Sequence, residues 1–192
     1  YNVIDIREDS GYGAVIKKNI VFQQIGTEGL TAVQHANGKD YWIITHEVNS
    51  AVVNAYLLTE NGLDIASVSK SPSFGNAVLP VMKSMVNVAN EIVGSSRLFV
   101  SPNGKFIVKL TSENHAPVLY RFNPSNGQFT SASFLEYKER NIYTSAAFSA
   151  GSDKLYIASA QRSEDQAKPF FYQADLPLTD NEPVTSTLDL IP

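Results

Sequence analysis

Short apolar runs rich in Val, Ile, Tyr, Phe and Thr recur along the whole chain, separated by clusters of Gly, Asn, Pro and Ser. That punctuation is the mark of strands joined by turns. The pattern predicts strands at Asn2–Ile6, Asn19–Ile25, Leu30–His35, Tyr41–His46, Val52–Leu58, Arg97–Ser101 and Phe106–Thr111. Further strands are predicted at Val118–Asn123, Phe129–Glu136, Tyr143–Ser149, Lys154–Ala160, Phe170–Leu176 and Val184–Leu188. Most of these runs are five or six residues long, the ordinary length of a strand.

Three stretches share one plan: Thr31–Ile44, Leu98–Val108 and Ala146–Ile157. Each has an apolar strand, a polar turn with Gly and Asn or Asp, a Lys, and a second strand. Asn-Gly tolerates positive φ, and the resulting turn twist matches the twist of the flanking strands. After the second hairpin come Val118–Asn123, the turn Pro124-Ser125-Asn126-Gly127 and Phe129–Glu136, giving four antiparallel strands per unit. Asn37 lies 66 residues before Asn103, and Asn103 lies 49 before Ser152. A propeller blade takes about 40–50 residues.

The first interval therefore holds a surplus, placed between Asp64 and Ser96. Within it Val81, Met82, Met85, Ala89 and Ile92 recur at helical spacing, Pro80 suits a first turn and Gly94 a stop. Pro80–Val93 is either a short inserted helix or an irregular loop carrying one more strand. The expected fold is thus all-β: a single propeller domain over 1–192, about four blades of four antiparallel strands, interrupted near 78–94. The chain starts at Tyr1, inside an apolar run, which predicts a processed or truncated piece of a longer protein. An incomplete ring, an arc, follows from the blade count.

The segment from Leu30 to Trp42 resembles propeller modules of secreted and surface proteins of Bacteroidetes, many of them associated with gliding motility and type IX secretion. Ser101-Pro102-Asn103-Gly104-Lys105 is similar to the Ser-Pro-Asp-Gly-Lys turn of WD40-like and lactonase-like repeats. The resemblance runs from about Asn2 to Leu176. It implies a propeller fold and a secreted or cell-surface location. It says little about activity, because one scaffold hosts many functions.

Composition narrows the field. Of 192 residues, 43% are hydrophobic and 18% charged, which argues against disorder and against a coiled coil. Net charge is −4 and no basic stripe appears, so nucleic acid is not an expected partner. No apolar run is long enough to span a membrane as a helix. With no Cys, disulfides, thiolate metal sites and Cys nucleophiles are excluded.

Candidate chemistry comes from propeller geometry. Turns A–B and C–D of each blade lie on one face; B–C loops and D–A connections lie on the other, the usual ligand face. The three B–C loops predicted here are His46–Ser50, Ser112–Pro117 and Gln161–Lys168, with Lys138–Asn141 joining them. Binding residues concentrate on such loops. The ligand-binding candidates are His46, Glu47, Glu113, His115, Arg140, Arg162 and Asp165. A solvated loop face of the same composition would look identical.

His46, Glu47, Glu113 and His115 are ligand types for zinc or manganese. No His-x-His or His-Glu-x-x-His spacing fixes two on one element, so neither metal nor cofactor is expected. His35 sits at the Asn37-Gly38 turn on the opposite face, where a hydrogen bond holding the hairpin is its expected work. The acidic group Asp5, Glu8 and Asp9 reads as a solvated loop. No Gly-x-Ser-x-Gly elbow occurs, and no catalytic residue is assigned. The leading functional expectation is a non-catalytic module for protein or glycan binding. The alternatives are a propeller-type hydrolase, lactonase-like or glycoside-cleaving, and a structural spacer. An arc also predicts self-association, or dependence on missing blades of a parent chain.

Overall fold

The computed structural model describes residues 1–23, 26–47, 52–72, 96–111, 116–135, 142–161, 168–177, 179 and 188–191. Fourteen strands are defined among them. The first two, β1 (Val3–Asp5) and β2 (Ala14–Lys17), form a small N-terminal hairpin. The first blade is β3 (Gly26–Gln34), β4 (Tyr41–Glu47), β5 (Val53–Thr59) and β6 (Gly62–Lys70). The second is β7 (Ser96–Val100), β8 (Phe106–Thr111), β9 (Val118–Asn123) and β10 (Gln128–Phe134). The third is β11 (Ile142–Phe148), β12 (Lys154–Gln161), β13 (Lys168–Asp175) and the short β14 (Asp189–Leu190).

Each blade is an antiparallel meander in which spatial order follows chain order. The innermost strands of consecutive blades lie together, β3 by β7 and β7 by β11. Four antiparallel sheets arranged this way make a partial β-propeller, three of them full blades. The side of a blade facing its successor in the chain is its trailing side; the other is its leading side.

Strict period-2 alternation explains the stacking. On β4, Trp42, Ile44 and His46 point to the trailing side, where Val53 and Ala55 of β5 join them. They meet Ile107, Tyr120 and Phe122 from the leading side of the second blade. The opposite residues of that blade, among them Phe106, Val108, Leu110 and Leu119, pack on Leu155, Ile157 and Tyr172 of the third. The second blade is therefore buried on both faces, and the core consists of two interblade layers. Fully burying one such side chain is worth about 1.5–3 kcal/mol.

The turns behave as their chemistry dictates. Gly38, Gly104 and Gly127 have φ of 72°, 70° and 71°, the left-handed region closed to most side chains. In the third blade Ser152 takes that conformation, at 59°. It matches Gly104 in the turn hydrogen bonds, so the repeat aligns one residue away from the Asn103–Ser152 match read from the sequence.

Several expectations need correction. Residues 19–23 form no strand: Asn19 has φ of 55° and its N–H bonds the Asn2 side chain, which turns the chain toward the first blade. The strand is instead Ala14–Lys17. Gly62–Lys70, of which the part from Asp64 on was placed in the surplus, is the outer strand of the first blade. Its alternation is broken where Asp64 Oδ1 accepts the N–H groups of Ala66 and Ser67, beside a register shift. The proposed helix or loop at Pro80–Val93 lies outside the described residues. So does most of Val184–Leu188, and Leu188 itself is not in a strand.

Candidate functional site

At the turn end, the first and second blades are joined by one carbonyl. Pro124 O accepts both the Ala36 N–H, at 3.1 Å, and the Trp42 indole N–H, at 2.9 Å. The A–B turn of one blade thus meets the C–D turn of the next at this end. His35 serves the turn as expected: its Nδ1 accepts the Asn37 N–H at 3.0 Å, and its ring stacks on Trp42. Asn103 N–H donates to Ser152 Oγ at 3.1 Å, linking the second and third blades.

The loop end carries the ionisable candidates His46 and Glu47. His46 was expected where strand passes into loop and Glu47 in the loop itself; β4 runs on through both, so they are its last two residues. His46 points to the trailing side and is only 3% exposed. Its Nδ1 lies 2.9 Å from Ser96 Oγ and its Nε2 lies 2.6 Å from Lys109 Nζ. Ser96 and Lys109 belong to the second blade, so the contact spans the interface. Burial pulls the Lys109 ammonium down to about 7, because a charge in this setting has lost its water. Two nitrogens this close cannot comfortably both be cations. One must supply a lone pair to the other's N–H.

Glu47 and Lys70 form an ion pair of 2.9 Å on the leading side of the first blade. The Lys70 hydrogen bond holds the Glu47 carboxyl below the usual range, helped by Asn54, whose amide donates to the same oxygen at 3.2 Å. Asn54 Oδ1 is buried with no partner. Tyr56 lies on the same side of β5, and burial raises its phenol pKa. Gln23 closes the group from the N-terminal segment, its amide donating to His46 O at 3.1 Å and its Oε1 accepting from the Thr45 hydroxyl.

Among the seven sequence candidates, the structure places His46 and Glu47 on adjacent positions of one strand, facing opposite blade sides. Glu113, His115, Arg140, Arg162 and Asp165 lie outside the described residues. Lys109 was missed. Its signal was present in the sequence: a lone lysine inside Phe106–Leu110, where alternation puts it on a packed face. Among the described residues, no group of three His, Cys, Asp or Glu could hold a metal ion, and no helix is long and apolar enough to cross a membrane.

No protein-family model and no curated protein matches the chain. Solved structures do. A proposed 6-phosphogluconolactonase from Bacteroides uniformis superposes with a TM-score of 0.52 at 12% identity, over 96% of this chain and 49% of that one. A Lactobacillus plantarum protein matches with a TM-score of 0.49 at 15% identity, over 100% of this chain and 50% of that one. TolB of Acinetobacter baumannii matches less well, at 0.39 and 17% identity, over 88% and 33%. This chain spans about half the length of the first two. At such identities the likeness concerns fold alone, and it agrees with the blade order: the chain has the architecture of part of a β-propeller.

Proposed function

We propose that this chain is a non-catalytic propeller segment, secreted or displayed at a cell surface, that binds a glycan or protein ligand at its loop end. One observation carries the reading. The ionisable groups seen at that end are already engaged: His46 with Ser96 and Lys109, Glu47 with Asn54 and Lys70. His46 ties the first blade to the second and Glu47 ties three strands of the first blade together, and a rim held in this way is what a binding loop needs. Catalysis asks instead for titratable groups presented to substrate in a pocket.

A glycan array probed with the purified chain, followed by titration of the best-binding glycan, tests this. The expected result is saturable binding that weakens when Glu113, Arg162 or Asp165 is replaced by Ala, with thermal stability unchanged. No binding to any glycan or to a protein panel would refute it.

A second reading is hydrolysis of a sugar-derived lactone. The fold shared with the Bacteroides protein and the lowered Lys109 support it. A pH-stat assay on sugar δ-lactones separates the two. Turnover above the spontaneous rate, lost in Lys109→Met, would replace binding with catalysis.

A further inference from the structure

We infer that Asn61 is a covalent modification site, converted to aspartate and isoaspartate through a cyclic imide, and that the other three Asn-Gly pairs are shielded by their own turns. The dipeptide occurs at Asn37-Gly38, Asn61-Gly62, Asn103-Gly104 and Asn126-Gly127. Its chemistry is alike at each place. The glycine nitrogen, with no side chain beside it, attacks the asparagine amide carbon. A new C–N bond closes a succinimide ring, and the amide nitrogen leaves as ammonia with the proton lost from the glycine N–H. Water then opens the ring at either carbonyl. One opening gives aspartate; the other gives isoaspartate, in which the main chain runs through the former side chain.

The turns decide which pair reacts, because the amide must leave its partners to swing onto the glycine nitrogen. Asn37 Oδ1 accepts the N–H groups of Lys39 and Asp40, both at 3.0 Å, and its Nδ2 donates to Asp40 Oδ2 at 2.7 Å. Asn103 Oδ1 accepts the Lys105 N–H at 2.9 Å and the Ser101 hydroxyl at 2.8 Å. Asn126 Oδ1 accepts the Gln128 N–H at 3.0 Å, and its Nδ2 donates to Gln128 Oε1 at 3.3 Å. In all three the side chain is a working part of the turn. Asn61 differs. It is exposed in the turn Glu60-Asn61 between β5 and β6, which the Thr59–Gly62 pair closes. Its backbone N–H donates to Thr59 Oγ1 at 3.1 Å, but among the described residues no hydrogen bond holds its side-chain amide. A Cβ on Gly62 would meet nothing within 4 Å, so the approach is open. Conversion adds a negative charge beside Glu60, on a shallow groove also lined by Lys39 and Tyr41. Isoaspartate further lengthens the main chain of a tight turn by a methylene.

Peptide mapping by mass spectrometry, on the 192-residue chain aged at mildly alkaline pH, tests the inference, with isoaspartate read by enzymatic methyl transfer to its carboxylate. Asn61 should convert at least about tenfold faster than Asn37, Asn103 or Asn126, whose amides must first give up their turn bonds. In concentrated urea the four rates should draw together, because the turns are gone. Asn61→Gln should remove the fast phase and leave the circular dichroism spectrum of the folded chain unchanged. Earlier conversion at Asn37, Asn103 or Asn126 would overturn the inference. So would equal rates in the folded chain, a position 61 that stays intact, or a fast phase that survives Asn61→Gln.

Discussion

The indole of Trp42 lies so close over Gly127 that a Cβ at position 127 would stand 2.5 Å from two of its ring atoms. The tryptophan belongs to the first blade and the glycine to the second. Their contact fixes how far apart two separate sheets sit at the turn end, reinforced by the indole hydrogen bond to Pro124 O.

Gly127→Ala therefore meets two penalties: strain at φ of 71° and a collision with a ring that a carbonyl holds in place. The expected loss is about 2–5 kcal/mol, from about 1–2 for the backbone and a further 1–3 for overpacking. Urea denaturation measures it. In a Trp42→Leu background the same substitution should cost roughly half as much, because only the backbone part remains.

Gly38 separates those two effects. Its φ is 72°, yet nothing lies within 4 Å of the Cβ it would gain. Gly38→Ala should cost about 1 kcal/mol, and Gly38→Val somewhat more. Gly104 falls between Gly38 and Gly127, since its Cβ would lie 2.9 Å from Val33 Cγ1, a side-chain tip that can yield. Melting temperatures of the three Gly→Ala variants should fall in the order 38, 104, 127. A reversed order would show that the interblade contacts are wrong.

Ser152 is the one non-glycine in the equivalent turns, and its hydroxyl accepts the Asn103 N–H from the neighbouring blade. Ser152→Ala keeps the strain and orphans a part-buried donor, at a cost of about 1–3 kcal/mol. Ser152→Gly loses the same bond but relieves the strain, so it should be the milder change. Equal losses would mean that the turn is not left-handed at this residue.

The pH dependence of stability follows from Lys109. Its pKa is about 7 in the folded chain against 10.5 when solvated. Between those values the unfolded state binds the extra proton, so stability rises with pH, by up to about 1.4 kcal/mol per unit. Below about 7 both states carry the proton and this contribution is flat, leaving the full penalty of a buried cation. Unfolding free energies of the parent and of Lys109→Met, compared from pH 6 to pH 10, should converge as pH rises, a range set by these two pKa values. Parallel curves would mean that Lys109 is solvated.

The blade plan was legible because Asn-Gly turns and alternating strands are local signals, each readable within a dozen residues. Phe106–Thr111 and Val118–Asn123 match their predicted limits for that reason. Gly62–Lys70 was not legible, since the irregularity around Asp64 hides its period, and Asn19 is kept out of a strand by a positive φ and a hydrogen bond to the Asn2 side chain. The His46–Lys109 contact joins residues 63 apart in sequence and on different sheets. His46 could be singled out by type and place, but only blade stacking reveals that it is buried against an amine. Glu47 was read as a loop residue; the strand carries it, and its link to Asn54 and Lys70 needed the strand pairing.

The central claim is that recognition happens at the loop end and that the turn end is structural. Equilibrium titration of the glycan selected by array, against two sets of variants, tests it most directly. Glu113→Ala and Arg162→Ala represent the loop end; Lys39→Ala and Lys105→Ala represent the turn end. The account predicts at least about tenfold weaker binding, or 1.4 kcal/mol, for each loop-end variant and unchanged affinity for the turn-end pair. Loss of affinity in the turn-end variants with the loop-end variants unaffected would contradict it.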